Sequence, residues 1–188
     1  MRVQDFRKGD AVLIVDVQND FCPGGSLAID RGDEVVPVLN RYIKAAQVAG
    51  VPVFASRDWH PEQHCSFAEQ GGPWPEHCVQ DSEGAAFHPD LALPETVEVI
   101  SKGQSRDQDQ YSALDGTGLT ERLRELGIDR LWVGGLAQDV CVHATVIDAL
   151  AAGFEVKLIR DGTRPVDAEP GDGDRALEEM RQKGAELV

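Results

Sequence analysis

Ala11–Val17 reads AVLIVDV, an almost unbroken apolar run too short for a buried helix and rich in β-branched residues. Such a run suits a strand covered on both faces, the situation of strands in a parallel sheet. That constrains the rest of the chain, because parallel neighbours need crossover connections, usually helical. The sequence supplies them. From Asp33 to Ala49, Val35, Leu39, Tyr42, Ile43 and Ala46 recur at helical spacing, with Pro37 in the first turn and Gly50 as a stop. Val51–Ser56, Val97–Ser101, Arg130–Gly135 and Phe154–Arg160 read as further strands, and Glu186–Val188 as a short edge strand. Helices are expected around Leu119, Leu123 and Leu126, over Val140–Ala152, and over Asp172–Lys183.

The expected architecture is one α/β domain over 1–188, a parallel sheet with helices on both faces. In such sheets ligands bind beyond the carboxyl ends of the strands. Asp16, Asp58 with His60, Lys102 and the turn 136–141 all fall there. Residues 57–94 carry many Pro, Gly and His with little periodicity, and an irregular stretch that long inside a domain is usually functional.

Composition narrows the function classes. The formal net charge of −15 disfavours nucleic acid and anionic membranes as partners, since neither gains from association with an acidic surface. Met1 to Asp10 contains no apolar core of a signal peptide, and no apolar run reaches the ~20 residues of a membrane span. The four cysteines (Cys22, Cys65, Cys78 and Cys141) are expected reduced, and the compartment cytoplasmic.

Cys141 lies in GGLAQDVCVHAT, where a strand ends and a helix begins. A helix N-terminus favours the thiolate and offers N–H groups to an oxyanion, and Asp139 is placed to cap that helix. The bland alternative is a small buried helix residue. Asp16 is a candidate general base, and Lys102 a cation to orient it; alone, each is equally a loop cap or a solvated lysine. Asp20 reads as a loop cap. Asp58, His60, His64 and His77 lie within twenty residues of one another, a donor set for zinc, iron or manganese. His64 is equally a hydrogen-bonded loop residue, Cys65 and Cys78 offer a lesser thiolate alternative, and His88 and His143 read as structural. Phe21, Trp74 and Tyr111 can wall a flat pocket.

DVQNDF at 16–21, DWHPEQHCSF at 58–67, WPEHC at 74–78, KG at 102–103, YSA at 111–113 and GLAQDVCV at 135–142 together resemble the nicotinamidase/pyrazinamidase branch of the isochorismatase-like hydrolases. The resemblance runs in order through nearly the whole chain. It implies a three-layer α/β/α fold with six parallel strands and an Asp16–Lys102–Cys141 triad. It also implies an oxyanion hole from the N–H groups of Ala137 and Cys141 beside a cis Leu136–Ala137 bond. Asp58, His60 and His77 become ligands of one divalent metal, most simply zinc, with His64 a further candidate; Phe21, Trp74 and Tyr111 become substrate contacts. The implied reaction converts nicotinamide, and pyrazinamide with it, to the acid and ammonia through a Cys141 thioester, in NAD salvage and without an organic cofactor. Homo-oligomerisation is left open. Gln138 departs from the motif, which more often has Thr. The rivals are a cysteine amidase for a carbamoyl or ureido compound, an isochorismatase, and a catalytically silent metal-binding homologue.

Overall fold

Strand β1 (Asp10–Val15) is buried at every position, as its apolar run requires, and it lies at the centre of the sheet. The computed structural model describes residues 5–188; residues 1–4, part of the stretch read for an export signal, lie outside it. The other strands are β2 (Val53–Asp58), β3 (Glu98–Lys102), β4 (Arg130–Leu136), β5 (Glu155–Arg164) and β6 (Glu186–Leu187). All pair in parallel, in the order β3-β2-β1-β4-β5-β6. The order reverses between β1 and β4, the place where sheets of this kind open a crevice for ligands.

The alternation along β1 divides the core in two. Ala11, Leu13 and Val15 face helices α2 (Leu119–Glu125), α3 (Cys141–Ala151) and α4 (Asp172–Lys183), packing on Leu119, Leu123, Val146 and Met180. Val12 and Ile14 face α1 (Val35–Ala49), which buries Val35, Leu39, Ile43 and Ala46 at the spacing its sequence shows. Fully burying each such leucine or isoleucine stabilises the fold by about 1.5–3 kcal/mol.

β5 is longer than its sequence suggests. Asp161–Gly162 reads as a turn, yet the strand runs on to Arg164. It can do so because pairing with β4 shifts register between Val133 and Gly135, so that Gly135 meets Thr163 and Leu136 meets Arg164. The segment between β2 and β3 is irregular, as expected, with a single short 3-10 turn at Ala68–Gln70. Isolated bridges pin it: Gln18 to Phe87, His60 to Val79 and Phe67 to Trp74. No helix among the described residues is long and apolar enough to cross a membrane.

At the opposite, amino-terminal end of the sheet, Asp10 is buried beneath Arg130. Its carboxylate accepts Nε and Nη2 of Arg130 at 2.8 Å each, the Trp132 indole N–H at 3.0 Å and the Arg7 backbone N–H at 3.0 Å. Burial alone would raise the Asp10 pKa, but these donors outweigh it and hold the carboxyl below its ordinary 3.8. A carboxyl lowered by folding contributes stability that is fully present above its unfolded pKa and lost as pH falls through the folded value. Asp10→Ala is therefore expected to cost about 3 kcal/mol at pH 7, the penalty for orphaning a buried partner. The gap to the wild type should close below about pH 4. Urea unfolding across that range checks it, and a gap unchanged down to pH 3 contradicts it.

Candidate active site

Strand register brings the distant residues together. Val15 pairs with Ser56 on one side and Gly135 on the other, and Asp58 pairs with Lys102. Asp16, Ser56, Asp58, Lys102 and the turn after Leu136 consequently share one level, at the carboxyl ends of four adjacent strands. Asp16 holds φ at 48°, a left-handed conformation uncommon for a residue with a side chain.

Lys102 is the hub of this cluster and is completely buried. Its ammonium lies 2.8 Å from Asp16 Oδ2, donates to Asp58 Oδ1, and stands 3.4 Å from Cys141 Sγ. Ser56 Oγ donates to Asp16 Oδ1 at 2.7 Å. Asp16 Oδ2 has the ion pair but no aligned hydrogen-bond donor, so it is available for a proton.

The electrostatics follow from one buried cation shared by two carboxylates. Burial works against the Lys102 ammonium, yet Asp16 and Asp58 outweigh it and keep the side chain charged. Burial also raises Asp16, more than Lys102 pulls it down. For Asp58, Lys102 and His60 win against burial and hold it below the usual carboxylate range. Burial pushes the Cys141 thiol well above its ordinary value, with Lys102 opposing less strongly. The Cys141 sulfur and an Asp16 carboxylate oxygen lie within 4.8 Å of each other.

Asp58, His60 and His77 bring one donor atom each to within 4.8 Å of one another. The Nδ1–H of His60 donates to Gly103 O at 2.9 Å, and that of His77 to Pro75 O at 2.7 Å. These carbonyls fix the tautomer and leave both Nε2 lone pairs free, 3.6 and 3.9 Å from Asp58 Oδ2. Burial lowers the His77 pKa and favours its neutral ring. Asp58 raises the His60 pKa against burial, so an incoming cation would displace that proton; two oriented imidazoles and a carboxylate then fit a divalent metal with open positions. His64 stacks on His60 with ring centroids 4.1 Å apart, but its ring nitrogens meet Ser66 Oγ at 2.7 Å and Gln108 O at 3.1 Å.

Beside the thiol and the histidines lies a small, partly enclosed cavity. Phe21, Trp74, Tyr111, Ala137 and Cys141 line it, as do Asp58, His60 and His77. Trp74 Nε1 donates to Tyr111 Oη at 3.1 Å, coupling two of the aromatic walls. The Leu136–Ala137 bond is cis.

Several contributors carry no signal of their own in the sequence. Leu27, Ile29, Val140 and Val166 add apolar wall. Gln18, fully buried, grips Asp58 on both sides, donating to its carbonyl and accepting its N–H, each at 2.8 Å. Its place in the DVQNDF motif, beside Asp16, marks the segment but not this role. Gly103, at φ 63°, leaves room for the His60 ring, which any Cβ there would strike. Asp20 caps as expected, accepting the N–H groups of Cys78 and Ser26. Asp139 does not cap α3: the cap position falls to Val140, and the Asp139 carboxylate turns to Val166 and Asp167 instead. His143 pairs with Glu179 and His88 accepts from its own loop, both away from the cavity.

This fold and site define a class. Residues 10–188 match the isochorismatase domain, and the chain belongs to that family. Within it, the chain is 45% identical to the nicotinamidase of Escherichia coli, covering 94% of this chain and 93% of the relative. It is 38% identical to the nicotinamidase/pyrazinamidase of Mycobacterium tuberculosis, over 95% and 97% of the two chains. Among solved structures, the pyrazinamidase of Pyrococcus horikoshii in complex with zinc superposes with a TM-score of 0.92 at 46% identity, covering 96% of this chain and 98% of that one.

Proposed function

We propose that this protein is a nicotinamidase, an amidohydrolase that converts nicotinamide to nicotinate and ammonia in NAD salvage, with pyrazinamide as a second substrate. The observation that carries the reading is the convergence, at one cavity, of a buried thiol, a carboxyl base, a shared cation and a two-histidine donor set. Relatives of the same name at up to 45% identity over most of the chain support it.

In this mechanism Asp16 takes the Cys141 proton and the thiolate attacks the amide carbon. The N–H groups of Ala137 and Cys141 receive the oxyanion; the first N–H groups of a helix have no intrahelical partner. As the intermediate collapses, Asp16 hands its proton to the departing nitrogen, and ammonia leaves a thioester on Cys141. Asp16 then takes a proton from water, the hydroxyl adds to the thioester, and nicotinate leaves with the thiol restored. Lys102 holds Asp16 in place throughout and keeps the cluster's charge balanced. Phe21, Trp74 and Tyr111 enclose the ring. A divalent ion, zinc by this donor set, would be held by Asp58, His60 and His77 and would supply a Lewis-acid contact for the pyridine nitrogen. His64 stays outside the donor set. The four unpaired cysteines suit a reducing compartment, the cytoplasm.

Ammonia release from nicotinamide, pyrazinamide and a ureido compound, with elemental analysis of the purified protein, tests the reading. Activity on the two ring amides with about one bound metal per chain is expected. Hydrolysis confined to the ureido compound overturns the substrate, and inertness toward all three overturns the enzyme. His77→Ala is expected to lose most of the metal and at least 10-fold in activity, by comparison with disturbed metal sites.

A further inference from the structure

The turn that carries Ala137 and Cys141 is fastened to the segment between β5 and α4. Asp139 Oδ1 accepts the backbone N–H of Val166 at 2.8 Å, and Oδ2 that of Asp167 at 2.9 Å. Gln138 N–H donates to Arg164 O at 2.8 Å, and its side-chain amide to Gly173 O at 2.9 Å. Asp167 closes the figure by accepting the Gly173 N–H at 2.8 Å. The approach depends on Gly173: a Cβ there would stand 2.7 Å from Pro165 Cβ and 3.0 Å from Gln138 Nε2. Gln138, the departure from the family motif, is thus a buried strut between the turn and the start of α4.

This fastening has a consequence inside the cavity. Of the segment between β5 and α4, Val166 lines the cavity that also takes Cys141, Ala137 and the aromatic walls. Val166 is half-buried, and its backbone N–H is held by the Asp139 carboxylate, two residues before the nucleophile. Two N–H groups on one carboxylate make charge-assisted bonds, the stronger kind. These bonds tie the wall to the turn that carries the thiol.

We propose that Val166 limits the substituents that the substrate ring can carry, and that Asp139 is the positioning residue that holds this wall at a fixed distance from Cys141. The inference rests on the nicotinamidase reading. It commits to a substrate class, pyridine carboxamides without bulk on the side of the ring that meets Val166.

The test uses the full-length, metal-loaded enzyme and the ratio of kcat/KM for 5- or 6-methylnicotinamide to that for nicotinamide. This ratio does not depend on the fraction of enzyme folded, so a merely structural defect leaves it unmoved. Val166→Ala is expected to raise the ratio about 10-fold for at least one methylated amide, the low end of what a methyl group is worth in an apolar pocket. Asp139→Ala should raise it in the same direction, and the double variant should fall short of the product of the two single effects, because both act on one wall. Where Asp139→Ala does not fold, Asp139→Asn, which keeps one acceptor oxygen, takes its place. An unmoved ratio in Val166→Ala overturns the specificity role, and one in the Asp139 variant overturns the positioning role. A wild-type enzyme inert toward nicotinamide overturns the underlying reading and this inference together, whereas an active wild type with unmoved ratios overturns the inference alone.

Discussion

Cys141→Ala is expected to release ammonia from nicotinamide roughly 10⁴- to 10⁶-fold more slowly than the wild type, the scale on which removal of a covalent nucleophile is felt. The loss should appear in kcat, because the ring walls, the carboxylates and Lys102 are untouched. Stability should change little. Cys141 is only 5% exposed, but alanine removes a single sulfur, and Lys102 keeps both of its carboxylate partners. Cys141→Ser is the sharper variant. Serine keeps the shape and a proton to give, yet its hydroxyl is a far weaker acid than a thiol, so Asp16 has a harder proton to remove. A serine variant within 10-fold of the wild type would mean that the chemistry does not pass through the thiolate. An alanine variant at the wild-type rate would mean that Cys141 takes no part.

The second large effect concerns folding as much as catalysis. Lys102→Met keeps a long unbranched side chain, one atom shorter, and removes its charge, leaving Asp16 and Asp58 buried without the cation they share. Breaking a buried ionic cluster by deleting one partner costs about 3–5 kcal/mol. The sign of the pH dependence identifies the cause. Without Lys102 the Asp16 carboxyl is raised further by burial and by Asp58, and such a group favours the folded state in its protonated form. The stability gap to the wild type should therefore be widest near neutrality and narrow as pH falls toward the ordinary carboxyl range. Urea unfolding at several pH values measures it. A gap that stays constant with pH would assign the loss to packing, and no gap at all would mean that water reaches the site. Activity should be lost as well, since Asp16 loses its partner.

The parts of this molecule legible in its sequence are those whose signal is local. β1 announces itself by apolar content, α1 and α4 by period and stops, and Asp16, Lys102 and Cys141 by standing where strands end. The end of β5 was hidden because Asp161–Gly162 has turn chemistry, and only the register shift against β4 allows the strand to continue. Ser56, Gln18 and Asp139 were hidden for another reason. Each finds its role only when a second segment arrives: Ser56 needs β1 beside it, Gln18 needs the backbone of Asp58, and Asp139, expected to cap α3, needs Val166 and Asp167.

The strand order has one more implication, for how the molecule comes into being. Asp16, Lys102 and Cys141 hang from β1, β3 and the β4–α3 junction, with β2 between the first two. Four neighbouring strands, β3-β2-β1-β4, must therefore be in place before all three can meet. Helical signal can return early during refolding, whereas parallel pairing waits on the closure of long loops. Turnover is thus a reporter of finished topology: in a refolding experiment, ammonia release should lag the recovery of helix and coincide with the locking of β1 between its neighbours.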